Sequence, residues 1–118
     1  MFNELVKDIE LTALTQEELR RKVFAQIEKD FALTGIPLEL DSVDPEENVV
    51  KIQEAIEQLA NDEPQTLANL FYRVDIAEKD WFKALEEDVV NTTKKALCRL
   101  LLKRELQKVV ERIRFDSI

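Results

Sequence analysis

The chain has 118 residues with one Gly, three Pro, one Cys and no His, and its 17 basic and 25 acidic side chains leave a net charge of −8. That length suits one domain that buries its own core without a disulfide or metal, and so little Gly argues against a turn-rich β fold and for a few long helices. The negative charge disfavours phosphate backbones and anionic membranes, and the missing imidazole removes the usual base for a Ser or Cys nucleophile and every His-based metal site.

At the start, Phe2, Leu5, Val6 and Ile9 recur at helical spacing, with Asn3 as the expected N-cap and an end near Leu11 to Leu14. Thr15 and Glu18 have the spacing of a capping box, in which each side chain satisfies a free amide of the first turn. A second helix follows, with Leu19, Val23, Phe24, Ile27 and Phe31 on one face and Glu17–Arg21 and Glu18–Lys22 spaced to pair on the other. It should stop at Gly35 and Pro37. Asp44, Pro45 and Glu47 then predict a capped third helix that runs to about Ala60 and presents Val49, Ile52, Ile56, Leu59 and Ala60.

Residues 65–82, "QTLANLFYRVDIAEKDWF", hold four of the eight aromatic side chains. Leu67, Leu70, Phe71 and Val74 give one amphipathic helix. Asp75 and Glu78 repeat the capping-box spacing and predict another, with Trp81 or Phe82, Leu85 and Val89 toward the core. This is mainly a packed helical corner. Tyr72, Arg73 and Trp81 also make it a candidate partner-binding face, because these residue types are enriched at interface hot spots.

The last segment should be the longest helix, capped by Asn91 or Thr92 or else continuous with the one before. Cys98, Leu101, Leu102, Leu106, Val109, Val110 and Ile113 form its stripe, while Leu97 and Leu100 lie off it. A helix apolar all round in its first half is either central to the bundle or part of a homodimer seam through Leu97 and Leu100.

Three candidates for chemistry stand out. Residues 91–118 hold 8 basic and 3 acidic side chains, against 9 and 22 in residues 1–90. Lys103, Arg104, Lys108 and Arg114 could therefore meet nucleic acid, although the acidic body would repel it and a solvated helix end explains them as well. Glu54 and Glu57 have the ExxE spacing of the Mg²⁺-binding helices of all-α nucleotide pyrophosphohydrolases of the MazG-like kind, with Asp75 and Glu78 as the second pair. Those glutamates lie opposite the core face of their helix, and the paired Glu-Glu leading directly into ExxE is not in place. Cys98 sits among core positions, where a thiol is inert.

The sequence thus predicts an all-α, single-domain bundle of five to six helices over residues 1–118, with the long C-terminal helix central. It also leads us to expect a non-catalytic protein-interaction or regulatory module, with no cofactor, no bound metal and a protein partner it does not name. A lone Cys, an acidic N-terminus without a basic run before an apolar core, and no apolar run near the length that spans a membrane fit a cytoplasmic protein.

Overall fold

The computed structural model describes residues 1–7, 9, 15–91 and 94–116, with the backbone alone for Val90 and Asn91. Six helices follow one another: α1 (Phe2–Val6), α2 (Gln16–Leu33), α3 (Pro45–Asp62), α4 (Pro64–Val74), α5 (Glu78–Asn91) and α6 (Lys95–Asp116). No described residue lies in a strand, so the all-α expectation holds. α5 and α6 are separate helices. At 22 residues α6 is the longest, and it packs against α2, α3, α4 and α5, which makes it the axis of the bundle.

Local chemistry sets most of the boundaries. The Thr15 hydroxyl accepts from the Glu18 amide at 3.1 Å, and Glu18 accepts from the Thr15 amide at 2.8 Å, which closes the capping box. Glu18 is thereby engaged at the cap rather than with Lys22. α2 ends in a Schellman turn: Ile36 N donates to Phe31 O, Gly35 N donates to Ala32 O, and Gly35 takes the left-handed conformation at φ 90°. Asp44 caps α3 through the Glu46 amide, with Pro45 in the first turn. Glu47 does not close that box itself. It accepts from Ser42 Oγ at 2.6 Å, and Ser42 Oγ accepts from the Asp44 amide.

Other predicted caps are corrected as well. α1 begins at Phe2, so Asn3 lies inside it, and α1 has no side-chain cap of its own. Instead Glu46 reaches across from α3, accepting from the Phe2 and Asn3 amides and from the terminal ammonium. Burial pushes the Glu46 carboxyl up, but those hydrogen bonds and the ammonium charge outweigh it and hold the group below its usual range. Ile9 lies past the helix, half-buried, and Leu11 to Leu14 are outside the described residues.

The second correction is Asp75, which does not start α5. It ends α4 in a second Schellman turn, with Ile76 N donating to Phe71 O and Asp75 N to Tyr72 O, at φ 66°. Asp and Asn tolerate this left-handed conformation better than other side chains with a β-carbon. Ala77, whose carbonyl accepts from the Asp80 and Trp81 amides, stands in the cap position of α5.

The core is one cluster drawn from every helix, from Leu40 in the α2–α3 loop and from Ile76 between α4 and α5. The apolar stripes predicted for α2, α3 and α4 are buried, from Leu19 to Phe31, Val49 to Leu59 and Leu67 to Val74. In α5 the phase differs. Ala84 and Asp88 face inward, Trp81 and Leu85 are half-buried, and Phe82 and Val89 are exposed.

The reason lies in α6. Asp88 Oδ1 accepts from Ala96 N at 2.8 Å and Oδ2 from Leu97 N at 3.1 Å, so a buried carboxylate of α5 caps α6. An acid in the last turn of a helix opposes that helix's dipole. In an antiparallel hairpin the same acid sits at the positive end of the next helix. Of the two residues expected to cap α6, Asn91 is the last residue of α5, and Thr92 lies outside the described residues.

Candidate functional site

The α4–α5 corner brings two of the three predicted partner residues together. Phe71 is buried, and Trp81 lies on it at a centroid distance of 5.1 Å. Tyr72 meets Trp81 edge-on at 6.0 Å, and Phe82 stacks beside Trp81 at 6.2 Å. The Tyr72 hydroxyl donates to Glu78 Oε1 at 2.8 Å, which raises its pKa. Tyr72 is 58%, Phe82 56% and Val89 74% exposed, so an apolar flank runs along α5. Beneath it the Trp81 indole N–H is shut off from water with no acceptor. Phe82 and Val89 belong to this face, although the sequence placed Val89 toward the core and offered Phe82 there as the alternative to Trp81. Their seven-residue separation, two helical turns, is the signal that links them.

Arg73 turns the other way. Its Nε lies 3.4 Å from Asp30 Oδ1, at the junction of α2, α4 and α6. Periodicity alone did not single out this second cluster. Asp30 is 3% exposed and Glu105 is fully buried. Gln26 Nε2 donates to both Asp30 oxygens at 3.2 Å, Arg112 Nη1 donates to Gln26 Oε1, and Lys108 Nζ lies 3.5 Å from Glu105 Oε1. Burial first, and then the Asp30 carboxylate beside it, push the Glu105 carboxyl up to about 8, against a smaller pull from Lys108. At 3.5 Å the Lys108 ammonium is farther from Glu105 than the roughly 2.7–2.9 Å of a tight charge-assisted hydrogen bond.

The other candidates separate. Leu97 is wholly covered by its own chain and has no surface to offer a second copy. Leu100 is half-buried on the floor of an open groove of about 580 Å³ between α5 and α6, with Ile76, Ala84 and Ala96 as neighbours and Arg99 and Lys103 on the rim. Arg104 is tied to the α4 turn, with Nε donating to Asp75 O at 3.0 Å and Nη2 lying 3.1 Å from Asp75 Oδ2. With Lys108 beside Glu105, two of the four basic residues considered for nucleic acid are engaged within the fold.

The carboxylates considered for Mg²⁺ do not converge. Glu57 accepts from Gln53, Glu78 from Tyr72 and Asp75 from Arg104. Among the described residues no group of three His, Cys, Asp or Glu side chains is placed to hold a metal. Cys98 is buried with Sγ 3.9 Å from Val49 O, and burial followed by the negative charge of Asp88 pushes the thiol up to about 12. No described helix is long and apolar enough to cross a membrane.

No family model, curated protein or solved structure matches the chain.

Proposed function

We propose that the chain is a non-catalytic protein-interaction module that meets its partner through the outer flank of α5. The observation that supports this reading is the flank itself: Tyr72, Phe82 and Val89 stand exposed around a half-buried Trp81. Large aromatic side chains on a rigid helix give contact area at low entropic cost, and Trp and Tyr are typical anchors of hot spots. A partner that suits it offers an apolar helical face to Tyr72, Phe82 and Val89. The α5–α6 groove on the opposite side of α5, with its charged rim, is the secondary surface.

The test is Phe82→Glu with Val89→Glu, two exposed positions where a carboxylate leaves the core intact. Quantitative pull-down from the source cell should lose the partners that the unaltered chain captures, with an unchanged circular dichroism spectrum. Capture of the same proteins at the same yield by the double variant would rule out this face. Sedimentation of the unaltered chain over a wide concentration range separates a foreign partner from a second copy.

A further inference from the structure

We propose that Asp30 and Glu105 hold one proton between them, making the α2–α4–α6 junction a clamp that loosens when the proton leaves. Glu105 is fully buried, and both of its oxygens lack a hydrogen-bond partner when the group is counted as an acceptor. A buried carboxylate in that state is costly, whereas a carboxylic acid can donate to the Asp30 carboxylate within its reach. Asp30 is suited to accept, since Gln26 donates to both of its oxygens from α2 and Arg73 faces it from α4. Lys108 stands beside Glu105 on α6, and Arg112 is one step away through Gln26.

Both acids lie on core stripes. Glu105 falls one turn from Leu101 and from Val109, and Asp30 falls between Ile27 and Phe31. The shared proton therefore links α2 to α6, and Arg73 ties α4 to the same pair. The direction of the pH dependence follows from the raised carboxyl. The folded chain holds the proton more tightly than the unfolded one, so this stabilisation is complete below the ordinary glutamate range. It is lost progressively as pH rises from about 4.5 towards about 8, and no further above that. With no histidine in the chain, few side chains would ordinarily change charge between pH 6 and 8.

Two measurements test the clamp. Carbon-13 titration of the side-chain carboxyls of the unaltered protein should show Glu105 changing with a midpoint near 8, and Asp30→Asn should move that midpoint down. Urea unfolding at pH 5 to 9 should give an unfolding constant that rises, relative to Glu105→Gln, by up to about tenfold per pH unit before levelling off. A Glu105 midpoint in the ordinary glutamate range, or one unmoved by Asp30→Asn, overturns the proposal. So do parallel pH profiles for the unaltered protein and Glu105→Gln. Should Glu105→Gln fail to fold, the carbon titration of the unaltered chain decides alone.

Discussion

Replacing Asp88 with Ala removes the carboxylate that caps α6 from α5. Two backbone donors are then left without an acceptor, the Ala96 amide at 2.8 Å and the Leu97 amide at 3.1 Å. Asp88 is 1% exposed, and Leu97 is fully buried, so water cannot readily replace the lost partner. Each stranded donor costs about 1–3 kcal/mol, and the lost charge at the positive end of α6 about 0.3–1 kcal/mol. Some relaxation of the first turn offsets part of this, so the expected destabilisation is about 3 kcal/mol. Asp88→Asn keeps one acceptor oxygen and removes the charge, and should cost about half as much. Urea denaturation followed by far-ultraviolet circular dichroism and by Trp81 fluorescence measures both. A cost below about 1 kcal/mol for Asp88→Ala, or equal costs for the two variants, would refute the cross-helix cap.

Other expectations follow from the contacts around Asp75, Gly35, Leu97 and Cys98. Asp75→Gly relieves the left-handed turn at φ 66° and gives up only an ion pair whose carboxylate is 84% exposed; thermal melts should show a change within about 1 kcal/mol, on the stabilising side. Gly35→Ala at φ 90° should instead cost about 1–2 kcal/mol, although a β-carbon there meets nothing within 4 Å. Leu97→Glu should unfold or aggregate the protein, since an unpaired buried charge costs about 3–5 kcal/mol; Leu100→Glu, half-buried in the groove, should remain folded by circular dichroism. Cys98 should resist a thiol reagent at pH 8 until urea is added, and rapid labelling of the native chain would contradict its burial.

Much of the architecture is legible because its causes are local. The Thr15–Glu18 box, Asp44 with Pro45, Gly35, and the stripes of α2, α3 and α4 each need information from only a few neighbouring residues. Local spacing also misleads. Asp75 and Glu78 match a capping box, yet Asp75 closes the helix before it, because the Schellman turn and Arg104 hold it there.

What stayed hidden depends on residues distant in sequence. Glu46 caps α1 and Asp88 caps α6, and neither belongs to the helix it serves. A signal for three buried acids was nonetheless present. Asp30, Asp88 and Glu105 all fall on the apolar side of their helices, next to Phe31, Ala84 and Leu106. An acid on a core stripe must find a donor or keep its proton. Of the predicted interface residues, Tyr72 and Trp81 meet as their proximity in sequence suggests, while Arg73 is drawn to Asp30, 43 positions earlier, which no local pattern reveals.

The two carboxylates that serve other helices also differ in the order in which the chain can make them. Asp88 reaches amides eight and nine residues ahead, whereas Glu46 reaches back 44 and 43. Closing the longer loop carries about 1.5 kcal/mol more entropy loss by the logarithmic scaling of loop length. The α5–α6 hairpin can therefore form while the chain is still largely open, and its buried aspartate belongs among the early contacts of a folding nucleus. The α1 segment, held by a glutamate far along the chain, joins an assembly that already exists. Substitutions at Asp88 would thus slow folding, and substitutions at Glu46 would mainly speed unfolding.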